Sequence, residues 1–325
     1  MRHMAANALT VLIVLMVLAS GVIYWGQAQF RAPGPLAEPM VVTVNAGDGL
    51  DDIAGALLAA GVIENDVLFR IGARYRDDAR RLRFGEYQVP AAASMEEVLD
   101  LIVSGRSVQY LVTVPEGLTS WEVVQLLNEE PLLTGEIADI PAEGSLAPDT
   151  YSVQRGEPRA DLVARMIAAQ ERILVEAWAA RVDFLPLENP EEALILASII
   201  EKETGLPEER RTVAGVFVNR LNRGMRLQTD PTVIYGITLG QGSLGRGLRR
   251  SELDSETPFN TYLIPALPPT PIANPGRASI EAALDPEVTD FIFFVADGTG
   301  GHAFAETLAE HNRNVARWRA IERRN

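Results

Sequence analysis

The N-terminal region contains an uncharged apolar segment that a water-soluble fold could not leave exposed. Residues 8–25 read ALTVLIVLMVLASGVIYW. At 1.5 Å per residue, a helix of this length just reaches the lower limit for crossing the hydrocarbon core of a bilayer. Tyr24 and Trp25 fall where an interfacial aromatic belt is expected. The segment therefore predicts a transmembrane helix over residues 8–26.

The charges that flank this segment predict its orientation. Arg2 and His3 precede it, whereas only Arg31 follows closely and acidic regions come next. The positive-inside rule then leaves residues 1–7 in the cytoplasm and the rest of the chain outside. A cleaved signal peptide is the alternative, but its apolar core would be overlong and no A-x-A cleavage site is convincing. Both interpretations export the remainder of the chain.

The composition excludes several classes of function. The net charge of −15 argues against a general affinity for nucleic acid, which requires basic surfaces. The absence of cysteine excludes disulfides, thiolate metal sites and cysteine nucleophiles. Three histidines without an HExxH pair give little basis for a zinc site or a Ser–His–Asp triad. We therefore expect no metal and no cofactor.

The region after the apolar segment predicts a linker and small α+β units. Residues 27–40 contain three prolines in seven positions, which predicts an extended stalk. Residues 41–142 repeat a pattern of β-branched strand, glycine turn and amphipathic helix, first from Val42 and again from Val112. The first unit resembles a LysM-type glycan-binding module, and a spacer domain is the alternative. A turn-rich junction at 143–151 separates this region from a second α+β domain, predicted over 143–325.

A buried helix in the second domain ends in charged residues. Residues 190–204 read PEEALILASIIEKET, apolar or small on nearly every side until Glu201, Lys202 and Glu203. Glu201 shares a helix face with Leu194, Ala197 and Ser198, so its carboxylate would be partly desolvated, as a proton donor requires. A solvated last turn is the alternative. Periodicity does not choose between Glu201 and Glu203.

Polar residues follow on segments predicted to be loops. Gln228, Thr229 and Asp230 precede Pro231, which favours an extended Asp230 and a break in any helix. The stretch 236–275 is loop-rich, and Phe291–Val295 is predicted to be a buried strand. His302 follows a glycine turn, where a structural role is the commoner one. Ordered loops of this kind usually build ligand sites.

Five motifs together identify the chain as similar to the YceG-like family of endolytic murein transglycosylases. They are LASIIEKET at 196–204, VFVNRLNRGMRLQTDPTVIYG at 216–236, FNTY at 259–262, LPPTPIANPG at 267–276 and DGTGGHAF at 297–304. The resemblance implies a bacterial inner-membrane protein with one span, periplasmic C-terminal domains and a mixed α+β catalytic domain. It implies that peptidoglycan strands are the substrate and that cell-wall synthesis proteins are possible partners.

The resemblance also implies residue roles. The family's catalytic glutamate, the first of its EKET motif, corresponds to Glu201. The reaction would cleave the MurNAc–GlcNAc β-1,4 bond within strands and leave 1,6-anhydro-MurNAc ends. Five side chains are candidates for holding the saccharide: Gln228, Asp230, Tyr235, Asn260 and Tyr262.

Two other functions remain open. A muramidase-type hydrolase would use Glu201 together with a water activated by Asp230 or Glu203. A non-catalytic glycan-binding or scaffolding protein would work through residues 41–130.

Overall fold

The computed structural model describes residues 2–323, and the chain divides into two compact units. The first comprises Met1–Tyr110, Leu132–Thr134 and Ser152–Glu157. The second comprises Leu111–Pro131, Gly135–Tyr151 and Pro158–Asn325. Met1, the first residue of the predicted cytoplasmic segment 1–7, and residues 324–325, the end of the predicted domain 143–325, lie outside the described residues. The second unit begins at 111 rather than at the predicted 143, because the second strand–turn–helix repeat packs with the C-terminal elements.

The first unit combines a long N-terminal helix with a two-stranded sheet and three short helices. Its elements are α1 (Arg2–Arg31), β1 (Met40–Val44), α2 (Leu50–Ala59), α3 (Asp66–Tyr75), β2 (Gly85–Val89) and α4 (Met95–Ser104). Strands β1 and β2 pair antiparallel, with Val42 opposite Tyr87. The Tyr87 ring is fully buried, and its hydroxyl donates to the Arg83 carbonyl (2.8 Å). The two strands and the two helices that lie between them in sequence thus share one small core.

Helix α1 extends beyond the predicted span and includes the first five residues of the predicted linker. Within residues 2–323 it is the one helix long and apolar enough to cross a membrane, over Leu9–Arg31. Residues 27–31 of the predicted linker are therefore helical, and Phe30 is buried in the core of the first unit. The following segment is also tied down, because the Gly34 N–H donates to the Ala92 carbonyl and the Ala92 N–H to that of Leu36. Residues 27–40 thus pack on the unit instead of forming a free stalk.

The rest of the chain is mainly helical with short strands. In order, its elements are β3 (Tyr110–Thr113), α5 (Ser120–Glu129), β4 (Leu133–Thr134), β5 (Thr150–Val153), β6 (Glu157–Pro158), α6 (Arg159–Ala179), α7 (Pro190–Glu203), a 3-10 turn (Pro207–Glu209), α8 (Arg210–Asn222), α9 (Asp230–Thr238), α10 (Arg250–Leu253), α11 (Arg277–Leu284), β7 (Phe293–Ala296), β8 (His302–Ala305) and α12 (Leu308–Glu322). The architecture is mixed α+β, as predicted.

Helix α7 is the central element of the second unit. Asn189 caps it by accepting from the Glu192 N–H (2.9 Å), and Pro190 occupies the first turn, where its missing N–H costs nothing. Its interior positions from Ala193 to Ile200 are buried except Leu194, which is partly buried. Helices α8 and α11 pack against it. The sequence predicted this buried helix correctly, and the site lies at its C-terminal end.

Two local predictions differ from the structure. Pro231 was expected to break any helix, but α9 begins at Asp230 with Pro231 in its first turn, a position that suits the fixed φ of proline. The strand predicted as buried over Phe291–Val295 is β7, which covers Phe293–Ala296 and is only half-buried. It pairs antiparallel with β8.

Candidate active site

Two glutamates occupy the last turn of α7 and point to different surroundings. Glu201 and Glu203 are two residues apart, and such positions on a helix do not face each other. The Glu201 side chain is 6% exposed. Glu203 contacts the segment that leads into α9. The structure therefore separates two carboxylates that the sequence pattern left equivalent.

The proline-rich loop before α11 binds one oxygen of Glu201. The Gly276 main-chain N–H donates to Oε2 of Glu201 over 3.0 Å. One turn earlier on the same face, the Ile272 N–H donates to the hydroxyl of Ser198 (3.0 Å). The loop thus follows the face predicted for Glu201. Oε2 of Glu201 is therefore the acceptor of a hydrogen bond from the loop backbone.

A glycine turn after β3 covers the aliphatic part of Glu201. The Gly117 N–H donates to the Asn274 carbonyl (3.0 Å), and the Asn274 N–H returns to the Leu118 carbonyl (2.8 Å). The ammonium of Lys202 donates to the Gly117 carbonyl (3.0 Å). Gly117 has φ +76°, and a Cβ there would lie 3.6 Å from Cγ of Glu201. A turn far away in sequence thereby becomes a wall of the site.

A guanidinium lies between two carboxylates at this wall. Nη2 of Arg210 is 3.3 Å from Oε2 of Glu116 and 3.8 Å from Oε1 of Glu201. Burial raises the pKa of Glu116, and the negative charge of Glu201 adds to the rise, while Arg210 opposes it. The site therefore contains two acidic groups and one shared cation, with Oε1 of Glu201 on the side of the cation.

Glu203 lies in a separate cluster of polar side chains. It accepts a hydrogen bond from the hydroxyl of Thr229. Burial raises the pKa of Glu203, a rise that the Thr229 hydrogen bond opposes and the charge of Asp230 increases. Asp230 in turn accepts a hydrogen bond from the hydroxyl of Tyr262 (2.6 Å), and burial raises the pKa of that phenol. Because its pKa is raised, the Glu203 carboxyl keeps its proton to a higher pH than an exposed glutamate does.

Three of the predicted saccharide contacts fall around the Glu203 cluster. Asp230 and Tyr262 form the pair just described, and Gln228 is exposed beside them with φ +49°. The Gln228 N–H donates to the Thr261 carbonyl (3.1 Å). Two chain segments, 228–230 and 260–262, are thus held together with polar groups displayed between them.

The other two predicted contacts lie in different environments. The hydroxyl of Tyr235 donates to Oε2 of Glu143 (3.1 Å), and its ring packs on Phe259. Asn260 is fully buried: its amide donates to the carbonyls of Leu253 (2.9 Å) and Ser255 (2.7 Å). Its Oδ1 accepts the Tyr262 N–H (3.0 Å). The amide of Asn260 therefore shapes the loop and is not free for a saccharide.

No hydrogen bond links any of the five predicted contacts to Glu201 within residues 2–323. His302, expected to be structural, pairs through Nδ1 with Oε2 of Glu209 (2.7 Å), and Oε1 of Glu209 accepts the His302 N–H (2.8 Å). This bidentate pairing fixes the start of β8. Its role in the described structure is to join β8 to the turn before α8.

Sequence reasoning missed the residues that contact Glu201. Gly276 lies in the LPPTPIANPG motif and Glu116 in the second strand–turn repeat, but neither position carries a local signal for chemistry. Arg210 is the first residue of α8, a helix whose buried residues begin only at Val213. Their grouping depends on long-range packing.

Comparisons with known proteins agree with the motifs. The model of the YceG-like family matches residues 42–317. A protein named endolytic murein transglycosylase from Streptococcus pneumoniae (strain D39) is 26% identical over 97% of this chain, which spans 65% of that relative's length. One of the same name from Bacillus subtilis is 28% identical, covering 86% of each chain. The 2.6 Å crystal structure of a yceG-like protein from Listeria monocytogenes has a TM-score of 0.52 at 28% identity, covering 85% of this chain and 99% of the other.

Proposed function

This chain belongs to the YceG-like family, and we propose that it is a membrane-anchored lytic transglycosylase with Glu201 as its single acid and base. The substrate would be the glycan strand of peptidoglycan, cut internally at the MurNAc–GlcNAc β-1,4 bond. The names of the relatives support the reaction. The observation that carries the proposal is the asymmetric binding of Glu201, with one oxygen held by the Gly276 N–H and the other facing Arg210.

In this proposal each oxygen of Glu201 has its own role. Because Oε2 accepts an N–H, the proton of the acid form would be on Oε1. That proton would pass to the glycosidic oxygen as the bond to C1 of MurNAc breaks. The carboxylate would then accept the proton of the sugar's own C6 hydroxyl as this oxygen closes on C1. Two strands result: one begins with a free GlcNAc 4-hydroxyl, and the other ends in 1,6-anhydro-MurNAc. No water is consumed.

One carboxylate can be enough for this reaction. Glycosidases that use water or a covalent intermediate need a second carboxylate as base or nucleophile. Here the nucleophile is part of the substrate, and intramolecular attack has a large proximity advantage. The guanidinium of Arg210 is close enough to stabilise the carboxylate left after proton donation.

We propose that the exposed polar groups near Glu203 hold the saccharide. Gln228, Asp230 and Tyr262 are held on two segments that hydrogen bond to each other, which limits their motion. Tyr235 remains a candidate through its ring and hydroxyl. Asn260 would act indirectly, by fixing the position of Tyr262.

The anchor and the first unit belong to the same proposal. The apolar helix over Leu9–Arg31 would cross the bacterial inner membrane once, with the elements that follow it in the periplasm. The β1–α2–α3–β2 arrangement, in which the two strands pair antiparallel, is compatible with a LysM-like glycan-binding role. Cell-wall synthesis proteins are candidate partners.

The test is mass spectrometry of peptidoglycan strands digested by the full chain and by two matched variants. We expect 1,6-anhydro-MurNAc ends from the wild type. Glu201→Gln should lower turnover by about 10²–10⁴-fold, the usual contribution of a general acid. Glu203→Gln is the matched control two residues away. It should lose much less, because the amide oxygen of glutamine can still accept the hydrogen bond from Thr229.

Three results would contradict the proposal in different ways. Reducing-end MurNAc in the products would favour the muramidase, with a water activated by Asp230 or Glu203. Strand fragments released at the wild-type rate by Glu201→Gln would remove Glu201 from the chemistry. No fragments from the wild type under any condition would favour the non-catalytic glycan-binding protein.

A further inference from the structure

An apolar groove in the first unit is formed partly by the membrane helix itself. Its volume is about 450 Å³. Seven large apolar side chains line it together with a few polar ones: Val22, Ile23, Trp25 and Phe30 from α1, and Leu68, Ile71 and Tyr75 from α3. All of these α1 residues lie within the apolar span Leu9–Arg31. The groove therefore occurs where the span ends and not on a distant surface.

Close packing fixes the position of α3 against the last turns of α1. A Cβ at Gly72 would lie 2.4 Å from the ring of Phe30, so only glycine allows this approach. On the preceding turn, Cδ1 of Leu68 would lie 3.7 Å from a Cβ at Gly26. Helix α3 is thus held at the level of residues 26–30. About 20 residues cross a hydrocarbon core of about 30 Å, so a span that begins at Leu9 reaches the interface at this level.

Helix α3 has three distinct faces. Phe69 and Ala73 are fully buried in the core of the first unit. A second face is charged and carries Asp66, Arg70 and Arg74. The remaining face carries Val67, Ile71 and Tyr75, spaced four residues apart and exposed by 51%, 57% and 79%. Contiguous large apolar side chains of this kind rarely face water, and an amphipathic helix with such a face is typical of membrane interfaces.

The charged face is internally neutralised. Arg70 pairs with Asp66 (2.8 Å) and with Asp51 (3.2 Å), and Arg74 also contacts Asp51. Few positive charges are left for acidic headgroups. Apolar contact with acyl chains is therefore the interaction that the surface can offer.

We propose that α3 is an interfacial helix, which inserts Val67, Ile71 and Tyr75 among phospholipid acyl chains beside the end of the span. The first unit then rests on the bilayer surface instead of standing off on a stalk. The occupant of the groove is lipid. The inference rests on the proposal that α1 crosses the membrane, and the experiment below separates the two.

The chain contains no cysteine, so single labels can be introduced without background. The full chain would be reconstituted in phosphatidylcholine nanodiscs with a nitroxide on Ile71→Cys. Two matched labels serve as references: Leu15→Cys in the span (57% exposed) and Val41→Cys on β1 (53% exposed), which does not line the groove. Power saturation with oxygen and with a water-soluble nickel complex gives the depth of each label. We expect the oxygen-to-nickel accessibility ratio to be several-fold higher at Ile71 and Leu15 than at Val41.

Each of the other outcomes would overturn one defined part of the proposal. If Ile71 matches Val41 while Leu15 stays oxygen-accessible, the interfacial helix is lost and the anchor stands. If Leu15 is nickel-accessible, the anchor itself fails. An oxygen preference at Ile71 that requires added phosphatidylglycerol would contradict apolar insertion. Dipolar broadening at Ile71 that vanishes on dilution with unlabelled chain, without oxygen preference, would show a second copy in the groove.

Discussion

The Gly276 N–H donates to Oε2 of Glu201 over 3.0 Å, and position 276 has no room for a side chain. A Cβ there would lie 1.9 Å from Oε1 of Glu116 and 2.3 Å from its Cδ. The backbone that holds the proposed acid is thus packed directly against the second carboxylate of the site. A side chain at 276 would therefore have to displace the Glu116 carboxylate or move the loop.

Gly276→Ala should therefore disturb Glu201 through its hydrogen-bond donor. Either Glu116 swings away from Arg210 or the loop moves away from Glu201. Misplacement of a catalytic group by about 1 Å can lower a rate by about 10²-fold, and we expect a loss of about 10–100-fold in turnover of peptidoglycan strands.

Two further variants test this explanation. Gly247→Ala adds the same methyl group in the same unit where nothing lies within 4 Å, and it should have little effect. The double variant Glu116→Ala with Gly276→Ala removes the obstructing carboxylate. If the clash is the cause, the double variant should be at least as active as Gly276→Ala alone. A loss in the double variant equal to the product of the two single fold-losses, as expected for independent effects, would refute the clash.

Arg210→Leu should lower turnover without unfolding the protein. The substitution keeps the aliphatic contacts in part but leaves Glu116 and Glu201 without their shared cation. Removing one preorganised electrostatic group from an active site costs about 10²–10³-fold in turnover, and we expect the low end because the closest approach to Glu201 is 3.8 Å.

The neighbouring residue provides the control for Arg210. Arg211 pairs with Asp285 over 2.9 Å at the surface, where both side chains are more than half exposed. Arg211→Leu should change stability by at most about 1 kcal/mol, because surface ion pairs contribute little. Equal activity losses in the two variants would indicate a general effect on α8 and not a role for Arg210 at Glu201.

The site was predictable only as far as local patterns reach. The buried helix α7 and the position of Glu201 on its last turn follow from residue spacing. The surroundings of Glu201 do not, since Glu116 and Gly276 lie 85 and 75 residues away and meet it only through tertiary packing. The division into compact units also depends on packing: the repeat beginning at Val112 resembles the first one locally but belongs to the other unit.

The pH dependence of stability should change in Glu203→Gln. Burial raises the pKa of Glu203 above its usual 4.5, so the folded protein binds this proton more tightly than the unfolded chain. The stabilisation that this group provides is present below pH 4.5 and is lost as the pH rises through the folded-state pKa. An amide cannot ionise, so the variant should lose less stability than the wild type as the pH rises above about 4.5. Melting temperatures of the detergent-solubilised chain across this range provide the measurement. Parallel curves for the two proteins would contradict the raised pKa.

Asn260→Ala should act mainly by lowering the free energy of unfolding and not by removing a direct contact with the saccharide. The fully buried amide makes three hydrogen bonds, and its removal leaves the Leu253 and Ser255 carbonyls and the Tyr262 N–H without this partner. Buried unpaired polar groups cost about 1–3 kcal/mol each, and with partial relaxation we expect a loss of about 2–3 kcal/mol in the free energy of unfolding. Asn222→Ala, at an exposed position at the end of α8, should stay within about 0.5 kcal/mol of the wild type. Because Asn260 also fixes Tyr262, a folded fraction of the variant should show weakened strand binding. Wild-type stability combined with a raised KM would instead return Asn260 to the saccharide-binding residues.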